Sequence, residues 1–116
     1  MNSGANGLEC KVFPLGGYEV GFSTSDDKYF PVDGAKLSYF DAGTGATAKN
    51  KRIAKLNGSA TGWWLLSPGT DYTNDYAWIV NSNGNCVRTS CTYSHGIRPA
   101  LILPYDFKFT SDQIAA

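Results

Sequence analysis

Two apolar segments, Gly58-Ser-Ala-Thr-Gly-Trp-Trp-Leu-Leu-Ser-Pro-Gly69 and Gly96-Ile-Arg-Pro-Ala-Leu-Ile-Leu103, bracket a polar stretch and decide how this chain is read. All three tryptophans, both closely spaced cysteines and the single histidine lie between residues 58 and 103. Trp63-Trp64-Leu65-Leu66-Ser67 is continuously apolar, rich in aromatic rings and bounded by glycine. Its length and composition predict a strand rather than a helix. Pro68-Gly69 closes that strand with a turn. Gly96 to Leu103 reads as the last strand. Pro99 lacks a donor for a ladder and so belongs at an edge or a bulge.

Between these segments the clearest local signal is a hairpin. Tyr76 to Ser82 runs into Asn83-Gly84, the pair favoured in a two-residue type I′ turn, and Asn85 to Cys91 returns. That register sets Ser82 opposite Asn85, Val80 opposite Val87, Trp78 opposite Thr89 and Tyr76 opposite Cys91 on one apolar face. Asn81 and Cys86, Ile79 and Arg88, and Ala77 and Ser90 then share the other face. Cys86 and Cys91 are five residues apart, so a regular strand points them to opposite sides. Cys91 is expected in the core and Cys86 at the surface, with no bond between them.

The remaining chain predicts shorter elements. Lys11 to Pro14 and Tyr18 to Phe22 read as strands around Gly16-Gly17, the second from the alternation of Tyr18, Val20 and Phe22. Ser23 to Asp27 offers a helix start running to about Phe30, where Pro31 ends it. Lys36 to Phe40 alternates as a strand. Asp41 to Ala48 consists mainly of small residues and reads as a loop. Lys49 to Leu56 holds the one basic cluster, read as a solvated face around inward-pointing Ile53 and Leu56. Residues 1–9 look like a linker, 10–105 a single domain, and 106–116 a tail in which Thr110 to Gln113 resembles a helix start.

Composition narrows the function classes. The 116 residues are 42% hydrophobic and 17% charged, which predicts one folded domain rather than a disordered chain. Thirteen glycines and 14% aromatic residues favour short strands and turns. Net charge is zero, so no global field draws the chain to nucleic acid or to an anionic membrane. No apolar run is long enough for membrane insertion, and Met1 to Gly7 has neither the basic nor the apolar region of a signal peptide. Three cysteines cannot all pair, which excludes a complete disulfide framework.

Chemistry-bearing constellations are sparse. Cys86, Cys91 and His95 supply three candidate zinc ligands where a structural site needs four. A Cys91–His95 nucleophile pair lacks an evident group to orient the imidazole. Asp71 to Asp75 lacks the bidentate Glu of a calcium loop. There is no phosphate-binding glycine loop, no Gly-x-Ser-x-Gly and no His-Glu-x-x-His. The expectation is a non-enzyme without metal or cofactor. Arg98 is read as a partly buried arginine paired with a carboxylate or with carbonyls. Tyr72, Asn74, Asp75, Tyr76, Arg88, Tyr93 and His95 form the candidate ligand-binding set. Tyrosine supplies rigid amphipathic contact area and small polar groups supply adaptable hydrogen bonds, the mixture that antibody loops use.

These residues also carry a family resemblance. Trp63 to Gly69, Ala77-Trp78 with Val80, Gly84, and Gly96-Ile97-Arg98-Pro99-Ala100-Leu101 resemble the bacterial and phage domain family DUF6273. Its pattern runs roughly Trp-Trp-Leu-Arg-Ser-Pro-Gly, then a variable Asn/Ser/Tyr-rich stretch, then Gly-Val-Arg-Pro-Ala-Leu. Lys51 to Lys55 and Asn57-Gly58 fit as well, so the resemblance spans residues 50 to 103. The family usually has arginine where this chain has Leu66, and any role of that arginine does not carry over.

The ending Gly96-Ile97-Arg98 is further similar to the C-type-lectin-like fold of the formylglycine-generating-enzyme kind. That resemblance implies an α+β, C-type-lectin-like domain of short antiparallel strands with one or two short helices. It also implies a ligand-display or receptor-binding module of a phage or bacterial surface protein, working on the virion or cell surface. Its partner would be a cell-surface protein or glycan. Some members of the group are diversified by retroelements, and the Asn, Tyr, Ser, Asp, His, Arg and Cys content of residues 71–95 suits such diversification. The alternatives are a structural or homo-oligomerising unit of a larger fibre, and an oxidoreductase with a copper-binding cysteine pair. The expected opposed faces of Cys86 and Cys91 speak against the last.

Overall fold

The computed structural model describes residues 12–23, 30, 34–69, 75–108 and 110. In chain order the elements are β1 (Val12–Pro14), α1 (Ala46–Arg52), β2 (Ala54–Leu56), β3 (Ser59–Thr61), β4 (Trp63–Pro68), β5 (Tyr76–Val80), β6 (Cys86–Ser90) and β7 (Pro99–Leu101). The described residues form an α+β arrangement of mostly antiparallel strands with one short helix. No helix among the described residues is long and apolar enough to cross a membrane.

β4 is the strand on which the others gather. Its apolar run resolves into an alternation, with Trp63, Leu65 and Ser67 buried and Leu66 and Pro68 exposed, because successive side chains of a strand point to opposite faces. β4, β5 and β6 form a three-stranded antiparallel sheet, with a register shift between Trp64 and Pro68. The β4 backbone also reaches two distant segments. The Leu66 N–H donates to the Leu15 carbonyl at 2.9 Å, and the Trp64 N–H donates to the Gly96 carbonyl at 3.0 Å. β1 pairs with β7, and Pro99 sits at the end of that two-stranded ladder opposite Pro14, an edge position where its missing donor costs nothing.

The core fills the space under this sheet. Trp63, Leu65, Trp78 and Val80 pack with Phe13, Leu15, Val20, Phe22, Phe30 and Phe40. Phe30 meets Trp78 edge-on, with ring centroids 4.8 Å apart, a geometry aromatic quadrupoles favour. Gly17 makes room for Phe30, because a Cβ there would lie 1.8 Å from the ring.

The hairpin differs from its expected form. Tyr76 pairs with Ser90, Trp78 with Arg88, Ile79 with Val87 and Val80 with Cys86, one residue away from the two-residue-turn register. The Asn81 side chain is the cause. Its Oδ1 accepts the N–H groups of Asn83 at 3.0 Å and Asn85 at 3.1 Å, and its carbonyl accepts the Gly84 N–H at 3.0 Å. Ser82, Asn83 and Gly84 therefore form a three-residue loop in which Gly84 alone takes positive φ, at 78°. A tight turn followed by a left-handed glycine is the second common hairpin connection. The shift turns β6 over. Cys86 packs against the core opposite Val80, while Cys91 lies beyond the strand and is exposed, the reverse of the sequence expectation.

A type I′ turn does occur, at a site the sequence reading did not assign. Asn57 and Gly58 both have positive φ, 51° and 81°, and join β2 to β3 with Leu56 opposite Ser59. The two glycines predict different responses to a methyl group. Among the described residues nothing lies within 4 Å of a Cβ built on Gly58, whereas one on Gly84 would fall 2.2 Å from the Lys49 carbonyl oxygen. Gly58→Ala is expected to cost about 1 kcal/mol for its backbone conformation alone, and Gly84→Ala about 2–3 kcal/mol, because backbone must also move. Urea unfolding of the two variants checks the difference.

Two further expectations change. Tyr18 to Phe22 is not a strand. The Gly17 carbonyl accepts the N–H groups of Val20 and Phe22, and Gly21 takes φ of 93°, so the alternating residues lie on a turn. Lys36 to Phe40 likewise turns, closed by the Phe40 N–H on the Leu37 carbonyl and tied back by the Leu37 N–H on the Glu19 carbonyl. The helix expected from Ser23 to Phe30 falls mostly outside the described residues.

The basic cluster is the largest reassignment. Its first four residues close helix α1, and Arg52 is wholly buried, while Leu56, expected inward, is 61% exposed. Ala48 and Arg52 are four apart and share the inward face of α1. Arg52 Nε donates to the Gly84 carbonyl at 3.0 Å, Nη1 to that of Val20 at 3.2 Å and Nη2 to that of Gly43 at 2.7 Å. Its guanidinium lies 4.1 Å from the Phe22 ring centroid. Its own carbonyl accepts the Trp63 indole N–H at 3.0 Å. One side chain thus joins the helix, the hairpin loop and two turns. Lys51 stays at the surface beside Asp41 at 3.1 Å, a pair worth little in water.

Candidate functional site

The sheet has a second face, opposite the core. Trp63 pairs with Val80 and points inward, so its neighbour Trp64, paired with Ile79, points outward. The chain after β6 folds over this outward ring. A local turn begins it: the Tyr93 N–H donates to the Ser90 carbonyl at 3.2 Å, and the hydroxyls of Ser90 and Thr92 share a hydrogen bond of 2.9 Å. The Cys91 N–H donates to the Asp75 carbonyl at 2.8 Å, tying the turn to the start of β5. The Gly96 N–H then reaches the Gly62 carbonyl at 2.8 Å. His95, one residue earlier, is thereby set edge-on against Trp64, with centroids 5.0 Å apart and planes at 78°. Gly62 leaves space for the imidazole, since a Cβ there would lie 3.1 Å from Nδ1.

The product is an open cleft of about 450 Å³ lined by Trp64, Ala77, Cys91, Tyr93, Ser94 and His95. The volume is in the range of small-ligand sites. Tyr93 is 64% exposed, so its ring is free to cover a ligand. Among the described residues the lining offers aromatic surfaces, two hydroxyls, an imidazole and a thiol, with no carboxylate. Among the described residues no hydrogen bond joins Cys91 to His95, and the buried His95 Nε2 has no partner. Among the same residues no group of three or more His, Cys, Asp or Glu is placed to hold a metal ion. The arrangement is suited to stacking and hydrogen bonding.

The sequence-predicted set divides. Tyr93 and His95 come together in the cleft. Asp75 is exposed at the start of β5 and gives its carbonyl to Cys91. Tyr76 and Arg88 lie on the sheet's other face, in line with Trp78, and Arg88 stands 5.6 Å from the Trp78 ring centroid. Tyr72 and Asn74 are outside the described residues. Trp64, Ala77, Cys91 and Ser94 were missed. Strand parity is the signal that finds Trp64, because two adjacent tryptophans on one strand cannot both face the core. Leu66, where the related pattern has arginine, is 49% exposed.

No curated protein and no solved structure matches this sequence. Residues 1–105 match a family described as a domain of unknown function, DUF6273. The match extends the motif resemblance of residues 50–103 over most of the chain, and the protein is a member of the DUF6273 family.

Proposed function

We propose that this domain is a non-catalytic ligand-display or receptor-binding module of a phage or bacterial surface protein, built on a C-type-lectin-like core. The observation that carries this reading is the outward Trp64 ring, braced by His95 and flanked by exposed Tyr93 in an open cleft. Aromatic faces beside hydroxyls accept the apolar face of a sugar ring and its hydroxyl groups, or a side chain presented by a surface protein. Diversification by a retroelement belongs to the same reading and has its own check, a neighbouring reverse-transcriptase gene with a template repeat matching residues 71–98.

The direct test is a screen of the domain against a glycan array and intact bacterial cells. Trp64→Ala and Tyr93→Ala are each expected to weaken a detected interaction roughly 30-fold, the scale of a buried aromatic hot spot. Binding that survives both substitutions rules out the cleft as the contact surface. A second reading, a structural unit of a fibre, is favoured by the apolar C-terminal strand region, where Ile102 is 73% exposed and Tyr105 fully so. Sedimentation showing an assembly that Ile102→Ser disperses would select it.

A further inference from the structure

A second cleft, of about 410 Å³, lies where the β2–β3 hairpin approaches the segment leading into β7, and Lys55, Leu56, Trp63, Ile97, Arg98 and Pro99 are among its lining residues. It is separate from the Trp64–His95 cleft. We propose that it binds a carboxylate carried beside an aliphatic group.

Three features point to that ligand. The first is charge: among the described residues Lys55 and Arg98 line the cleft, and no acidic residue does. The second is the state of Arg98. Its guanidinium lies 5.0 Å from the Trp63 ring centroid and 5.6 Å from that of Phe40. Among the described residues its one hydrogen bond is a long one, 3.4 Å from Nη1 to the Arg52 carbonyl. A guanidinium has five N–H donors in a rigid fork that matches the two oxygens of a carboxylate. The rings fix the position of the fork while leaving most of its donors for a ligand, so little side-chain entropy is lost on binding. The third is apolar exposure. Leu56 is 61% and Ile97 74% exposed, on either side of the same cleft. An aliphatic group lying between them would remove apolar surface from water on both sides. Lys55, exposed on β2, adds a second cation without holding any part of the core.

Such a ligand arises either as the C-terminus of a peptide ending in an aliphatic residue or as a free aliphatic acid. The test uses the isotope-labelled 116-residue chain, followed by amide NMR during titration with N-acetyl-leucine, N-acetyl-leucinamide and octanoate. Saturable shifts at Leu56, Gly96 and Ile97 are expected with the acids, and roughly ten-fold weaker affinity for the amide, which lacks the charge that strengthens each hydrogen bond. Tighter binding of N-acetyl-leucine than of octanoate identifies a peptide end, and the reverse order a free acid. Arg98→Gln should abolish the shifts. Because Arg98 also packs on Trp63, the exposed variants Lys55→Gln and Ile97→Ser provide the check that leaves the core intact, and each is expected to weaken binding several-fold. Equal affinity for acid and amide, indifference to Lys55→Gln and Ile97→Ser, or no saturable shift in this cleft with any of the three probes overturns the proposal.

Discussion

Arg52→Met unfolds the domain. The substitution keeps much of the buried volume but removes every donor, leaving the carbonyls of Gly84, Val20 and Gly43 without the guanidinium that now satisfies them. A buried carbonyl left without its partner costs about 1–3 kcal/mol, as at Gly84 and Val20, and the part-buried Gly43 carbonyl costs less. Their sum is comparable to the roughly 5–15 kcal/mol by which a small domain is stable at all. The loss is also cooperative, since the same residue seats the Gly84 loop, the turn at Val20 and the end of α1. Arg52→Lys separates charge from geometry. A lysine retains the positive charge, yet its compact ammonium cannot address three carbonyls in a fixed plane. It is expected to fail nearly as badly as methionine. Circular dichroism during thermal and urea unfolding measures both. An Arg52→Met protein within about 1 kcal/mol of the parent would show that the network is not what holds the domain together.

Trp63→Ala is the second large effect. The ring is 1% exposed and belongs to the central cluster. Its indole N–H donates to the Arg52 carbonyl, and its face carries Arg98. Truncating a buried tryptophan costs about 3–5 kcal/mol through lost transfer energy and the cavity left behind. Trp63→Phe isolates the polar part. It retains most of the ring but leaves the Arg52 carbonyl with only the long Arg98 hydrogen bond, and about 1–2 kcal/mol is expected. Trp64→Ala, on the next residue, is the control. Its side chain is half-buried on the opposite face, so its stability cost should be clearly the smaller of the two. Equal losses at the two tryptophans would contradict the facing that β4 gives them.

The contrast between those neighbours also shows what was legible in the sequence. The apolar run at Trp63 to Ser67, the hairpin pairing of β5 with β6, and the edge position of Pro99 all rest on local signals: hydrophobic run length, paired strands around a turn, and a missing donor. Those signals predicted the elements. They did not predict the hairpin register, because an Asn-Gly pair supports either a two-residue or a three-residue loop. Here the choice fell to the Asn81 side chain four residues before Asn85. That one-residue difference moved Cys86 and Arg88 to the core side and so divided the expected binding set. Nor was the burial of Arg52 legible. A cluster of Lys and Arg reads as a solvated face unless carbonyl acceptors converge on one member, and these acceptors come from residues 20, 43 and 84. Tyr18, Val20 and Phe22 show the limit of period two. Alternation without a partner strand fits a turn as well as a ladder.

The reach of the Arg52 network sets an order of events during synthesis. Arg52 leaves the ribosome long before Gly84, and β1 before the β7 strand that pairs with it. A nascent chain that has reached β5 therefore carries an arginine whose binding site is incomplete and a first strand with no partner. Contacts so distant in sequence are slow to close. The domain reaches its native state only after residue 101 has emerged, so pauses in translation before that point prolong the exposure of Phe13, Trp63 and Trp78 to chaperones and to other nascent chains.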